Sequence, residues 1–269
     1  MKDKRILFVS SEVVPYLPET ELSSTAFNAA KNAHSKGVQT RIFMPRFGVI
    51  NERRHQLHEV IRLSGMNLVV NDMDMPLIIK VASIPKERMQ VYFIDNEEYF
   101  KRKAVFTDED DTLFEDNDER AIFFAKGVIE TVKKLNWAPD IIHVHGWMAS
   151  LLPLYLKEFY NEEPLFTDSK IVTSIYNNGF EGCLNKALAD KVTFDLNEAK
   201  KAATIQIPNH TNILKSAIEN SDAIIYGSED VSEELTSFVE EKEIPFLGFQ
   251  EENLKENYLN FYADLVSEN

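Results

Sequence analysis

Cysteine is nearly absent: Cys183 stands alone among 269 residues, so no disulfide can form within the chain. None is needed, because a chain of this length buries roughly three quarters of its unfolded surface. A lone thiol fits a reducing compartment. Long apolar runs are also missing. None approaches the ~20 residues that span a bilayer, which excludes a helical membrane protein. The apolar stretch behind MKDKR is too short for a signal-peptide core. The expectation is a cytoplasmic protein. Glycine is scarce, at nine residues, and no Gly-x-Gly-x-x-Gly follows the first apolar run. The usual glycine loop for a phosphate is therefore missing, as are a Walker lysine and a Gly-x-Ser-x-Gly nucleophile elbow. Positive charge is short as well: 29 Lys and Arg face 44 Asp and Glu, a net charge of −15. With no basic stripe, nucleic acid is not an expected partner.

The negative charge is concentrated. Residues 108–119 (DEDDTLFEDNDE) carry eight acids and no base, and residues 229–256 carry ten acids and two lysines. Charge runs of this kind usually serve solubility, so 108–119 reads as a solvated, mobile loop. Such a loop cannot hold two carboxylates at a fixed catalytic separation.

What is present is an alternation of short apolar runs and helical periods. Arg5–Ser10 reads as a strand buried on both faces. Ser23–Lys36 follows as a helix, with Ala26, Phe27, Ala30 and Ala33 on one stripe. Ser23 or Ser24 can cap it, and Gly37 suits its left-handed end. Val38–Pro45 completes a βαβ unit. Met66–Val70, Leu77–Ser83 and Met89–Asp95 are spaced for a hairpin-like insert at one sheet edge. Helices are expected at 118–136, 150–160, 212–220 and 231–241, and strands at 140–145, 170–175 and 222–226. The pattern predicts an α/β fold with a doubly wound, mostly parallel, Rossmann-like sheet. In the tail, Leu254, Tyr258, Phe261, Tyr262 and Leu265 recur at helical spacing. An amphipathic helix this short is marginal alone and must pack back on the body. Residues 1–250 and this 251–269 helix are therefore read as one domain.

Ligands of open α/β sheets bind beyond the carboxyl ends of the strands. Those ends carry Glu12, then His145 and Trp147, then Tyr176 and Asn177. These five are the candidate substrate-binding residues: aromatic faces beside polar groups suit a sugar ring. His143 and His145 share one face of their strand but lack a third ligand, so no metal is expected. His143 is expected to be a core histidine bonded to backbone, and His145 to line the cleft. No catalytic residue and no cofactor is assigned.

Several stretches together resemble the N-terminal domain of bacterial glycogen and plant starch synthases. They are LFVSSEVVPY (7–16), MPRFG (44–48), FIDNEEYF (93–100), DNDERAIFFAKGVIE (116–130), PDIIHVHGWMASLLPLYLK (139–157), NILKSAIENSDAI (212–224) and NLKENYLNFYADL (253–265). The resemblance implies the first half of a GT-B glycosyltransferase with two Rossmann-like domains. In that family the tail helix returns after a second domain, so the expectation here is that the second domain is lost and the helix kept. The family's Lys-Thr-Gly-Gly-Leu, which meets the nucleotide phosphates, stands here as Pro18, Glu19, Thr20, Glu21 and Leu22. Its His-Asp-Trp-His-Thr has become His145, Gly146, Trp147, Met148 and Ala149, and its Ile-His-Asn has become Ile175, Tyr176 and Asn177. The resemblance thus implies a glycosyltransferase fold with substituted site positions. The expected role is a non-catalytic glucan-binding or regulatory module of storage-polysaccharide metabolism. The alternative is one half of an active ADP-glucose-dependent glucosyltransferase completed by another chain. The expected partners are a glucan or sugar ligand and either a second copy in a homodimer or a partner glycosyltransferase chain, with no membrane.

Overall fold

A computed structural model of the chain describes residues 1–194, 199–250 and 254–267. The boundary at 250/251 drawn from the sequence, and the side chain of Leu254, lie outside the described residues. The elements run β1 (Arg5–Ser10), α1 (Glu21–Ser35), β2 (Gln39–Pro45), α2 (Glu52–His55), β3 (His58–Glu59), β4 (Met66–Val70), β5 (Met73–Ser83) and β6 (Gln90–Asp95). They continue α3 (Glu97–Phe100), α4 (Asn117–Leu135), β7 (Ile141–His145), α5 (Leu152–Leu154), β8 (Lys170–Ile175) and α6 (Leu188–Val192). Last come α7 (His210–Glu219), β9 (Ala223–Tyr226), α8 (Glu233–Glu241), β10 (Phe246–Leu247) and α9 (Leu254–Ser267).

The strands form one sheet in the order β10-β9-β8-β7-β1-β2-β6-β5-β3, with β4 paired to β5. The β1–β2, β1–β7, β2–β6, β7–β8, β8–β9 and β9–β10 pairs are parallel. The insert β3–β4–β5 pairs antiparallel at the other edge, as the short spacings required. β1 and β7 are side by side at the centre, and every residue of β7 is buried. Strand order reverses beside β1, so its carboxyl end and that of β7 open on the crevice where doubly wound folds bind ligands.

Three local differences from the expectation have physical reasons. Helix α1 starts at Glu21, not Ser23, because Thr20 is its N-cap: the Thr20 hydroxyl accepts from the Ser23 amide at 3.0 Å, and the Ser23 hydroxyl accepts from the Thr20 amide at 2.8 Å. The expected 150–160 helix is broken into a 3-10 turn at Trp147–Ala149, a short α turn and a π-helical turn at Tyr155–Phe159. Residues 108–119 are not a free loop. Asn117, Asp118 and Glu119 open α4, Asp116 holds Arg102, and Lys191 bridges the buried Asp118 and Glu119 at 2.7 Å each. Asp108 caps a small turn, its Oδ1 accepting from the amides of Asp110 and Thr112.

The tail helix docks as its stripe requires. Tyr258, Tyr262 and Leu265 are buried, and α9 lies against α1. No helix among the described residues is long and apolar enough to cross a membrane.

Candidate functional site

The crevice is built at the end of β1. Behind it, Glu12 accepts from the Thr20 hydroxyl at 2.9 Å, and partial burial raises its carboxyl above the usual range against that bond. The capping box at Thr20 and Ser23 ties up the Ser23 amide, one of the four free donors at the start of α1. Glu21, in the first turn, takes a short hydrogen bond from the Ser228 hydroxyl at the end of β9. The carboxylate therefore reaches from the β1–α1 side of the crevice to the β9 side. Ser228 Oγ also accepts from the Asn177 amide at 3.2 Å, and Asn177 Nδ2 donates to Asp230 at 2.7 Å. Glu21, Asn177, Ser228 and Asp230 thus form a chain of acids and hydrogen-bonding groups across the strand ends.

His145 and Tyr176 sit beneath that chain and touch: the Tyr176 hydroxyl is 2.8 Å from His145 Nδ1. Both are buried, so His145 does not line an open cleft as expected. Desolvation pushes the His145 imidazole down to about 3 and the Tyr176 phenol well above its usual range. His143 was expected to bond to backbone. It instead lies between two side-chain hydroxyls, with Nδ1 2.6 Å from Tyr262 Oη and Nε2 2.8 Å from Ser174 Oγ. The two imidazole rings are 3.9 Å apart. No group of three potential metal ligands occurs among the described residues.

Trp147 points elsewhere. Its indole is buried between Phe106 at 4.8 Å and Phe180 at 4.9 Å. These rings floor an open groove of about 1000 Å³ between residues 103–113 and 179–183. The structure therefore joins His145 to Tyr176 and places Glu12 and Asn177 along the crevice, while Trp147 faces the neighbouring groove. Glu21, Ser228 and Phe180 were not singled out from the sequence. A glutamate in a polar loop and a phenylalanine 33 positions after Trp147 carry no local signal of a shared site.

Two glycines fix the packing here. Gly146 has φ +81, and a Cβ on it would meet Ser11 Oγ at 2.2 Å and Leu22 Cδ1 at 2.8 Å. A Cβ on Gly227 would meet the Tyr176 ring at 2.3 Å. Gly146→Ala is therefore expected to lower stability by about 2–4 kcal/mol, from left-handed backbone strain plus overpacking. Urea denaturation followed by tryptophan fluorescence checks it. An unchanged midpoint would show that the Ser11–Leu22 wall gives way freely.

The family model for the starch synthase catalytic domain matches residues 5–246. The chain is 35% identical over 255 residues to a glycogen synthase of Chlorobium luteolum, covering 93% of this chain and 50% of that protein. It is 35% identical over 256 residues to a glycogen synthase of Chlorobium phaeobacteroides, covering 94% and 51%. The catalytic domain of starch synthase IV from Arabidopsis thaliana, solved bound to ADP and acarbose, shares the fold with a TM-score of 0.75 at 17% identity, over 92% of this chain and 51% of that one. The chain spans about half the length of the curated relatives it matches.

Proposed function

This chain belongs to the starch synthase catalytic domain family, and from that membership we propose that it is a glucan-binding or regulatory module that transfers no glucose by itself. The observation that carries the reading is the Glu21–Ser228 contact across the crevice. A glucosyl donor needs donors and positive charge around its departing diphosphate. At this helix start the Ser23 amide is capped from within, and Glu12 and Glu21 bring two carboxylates to it. The resemblance puts the family's carboxylate at the position of Gly146, where an added Cβ would have no room. Loss of charge-handling groups at both places, with the sheet and its helices intact, supports a fold kept for binding rather than chemistry.

The groove floored by Trp147 is the proposed glucan contact. It offers aromatic rings beside the carboxylates and amides of residues 106–113 and 179–183, a combination suited to sugar rings. Tyr176 and His145 are too buried to touch a sugar directly and serve to hold the strand ends in place. Electrophoresis through glycogen-containing native gels tests this. The parent chain is expected to be retarded. Phe180→Ala, which removes the half-buried ring against Trp147, is expected to relieve most of the retardation. An unretarded parent chain would remove the glucan reading.

The relatives are themselves glycogen synthases, which favours a second reading: one half of an ADP-glucose-dependent glucosyltransferase completed by another chain. Under it, the Glu21–Ser228 contact must open to admit the diphosphate.

A further inference from the structure

Arg120 of α4 is fully buried, and among the described residues it forms no ion pair. Its guanidinium lies 5.4, 5.3 and 5.5 Å from the centres of the Phe47, Phe100 and Phe114 rings. Nη1 donates to Asn117 Oδ1 at 2.6 Å, while Nε and Nη2 are buried without an acceptor. Asp116, one residue before Asn117, has both carboxylate oxygens on Arg102. Burial pushes the Arg120 guanidinium down only to about 9, so it is charged at neutral pH. A buried charge without a counter-ion is costly, and an apolar side chain of similar size is often at least as stable. Three ring faces offset part of that cost. Stability alone therefore does not account for an arginine at this place.

What arginine supplies, and an apolar side chain cannot, is direction. With its Oδ1 held by Arg120, the Asn117 amide turns its Nδ2 onto the Phe106 carbonyl at 2.9 Å. That carbonyl also accepts from the Phe114 amide at 3.0 Å. The Phe106 ring stands edge-on to Phe47 at 5.5 Å, a ring that also faces Arg120, and lies 4.8 Å from Trp147. Phe106 lines the groove of about 1000 Å³. We propose, resting on the glucan reading above, that Arg120 acts through Asn117 as the positioning residue of this groove and fixes Phe106 against Trp147 as a preformed wall for a sugar ring. A wall ordered before binding spares the guest the cost of ordering it.

Two variants of the full chain separate position from packing. Arg120→Met fills the ring-lined box with an apolar side chain and removes the donor to Asn117. Asn117→Asp gives the guanidinium a carboxylate, at a helix start that favours acids, but removes the donor to Phe106. Both are expected to keep the urea midpoint of the parent and yet to weaken glycogen affinity about tenfold, read as apparent Kd from gel retardation. Arg120→Lys, which keeps a donor in the box, is expected to restore part of that affinity. In a Trp137→Phe background Trp147 is the single tryptophan, and its quenching by acrylamide is expected to rise in both variants. A purely structural arginine would shift the urea midpoint and leave quenching and affinity of the folded variants at the parent's values, and that result overturns the proposal. If Arg120→Met does not fold, Asn117→Asp, which keeps the guanidinium, decides on the same readouts. A parent chain that glycogen does not retard removes the glucan reading. Quenching then decides the positioning by itself: a rise in the variants upholds it, and no rise overturns it.

Discussion

Incubated with radiolabelled ADP-glucose or UDP-glucose and glycogen, the purified chain is expected to incorporate no glucose above a blank. The expectation rests on what the crevice presents to a departing diphosphate. Stabilising the charge that develops on a leaving group is usually the largest single contribution to such chemistry, and removing one preorganised donor typically costs ~10²–10³ in rate. Among the described residues the groups bonded across the crevice include no lysine or arginine, and Glu12 and Glu21 put carboxylates at the start of α1. The Ser23 amide there is held by the Thr20 hydroxyl, and the Thr20 amide by the Ser23 hydroxyl. Gly146 supplies no carboxylate, and Gly146→Asp is expected to restore nothing, because its Cβ collides with Ser11 and Leu22. Incorporation that survives a second purification step would contradict the account.

Tyr262→Ala is expected to destabilise the chain by about 3–5 kcal/mol, the range for emptying a large buried aromatic site. Tyr262 is fully buried on α9, and its hydroxyl meets His143 Nδ1 across 119 residues of sequence. Tyr262→Phe keeps the ring and strands the imidazole nitrogen, so a smaller loss of about 1–3 kcal/mol is expected. The same network sets a pH dependence. Burial holds His143 and His145 neutral in the folded chain, with the His145 imidazole pushed down to about 3, against an ordinary value of 6.5. Below pH 6.5 the unfolded chain takes up protons that the folded chain refuses. Stability should therefore fall as pH drops from about 6.5 towards 3, by up to about 1.4 kcal/mol per pH unit for each histidine. Above 6.5 these groups contribute no slope. Urea titrations at pH 7, 6 and 5 check both expectations. A Tyr262→Ala midpoint equal to that of the parent would mean that the helix contributes nothing to the fold.

What could be read in the sequence was what repeats locally. β1 and β8 were legible to the residue because each is a near-continuous apolar run between polar stops. The docking of α9 was legible from Tyr258, Tyr262 and Leu265, since an apolar stripe on so short a helix demands a partner. The four-residue helices α2 and α3 were not, because a single turn shows no period. Thr20 and Ser23 are both good caps, and only the reciprocal bonds decide between them. Of the site, Glu12 and Asn177 were placed by the strand-end rule alone. The burial of Trp147, His145 and Tyr176 could not be foreseen, because Trp147 packs on Phe106 and Phe180 and His145 meets Tyr176, partners distant in sequence.

Amide hydrogen exchange over residues 10–24 and 226–230, with and without saturating ADP-glucose, tests the central claim most directly. These two stretches carry Glu12, Thr20, Glu21, Ser23 and Ser228, the groups that close the crevice. The account predicts identical exchange in the two conditions, because the helix start meets a diphosphate with two carboxylates and with its Ser23 amide already capped. Protection of both stretches by ADP-glucose, saturating with its concentration, would show that the Glu21–Ser228 contact opens to receive a sugar nucleotide, and would contradict it.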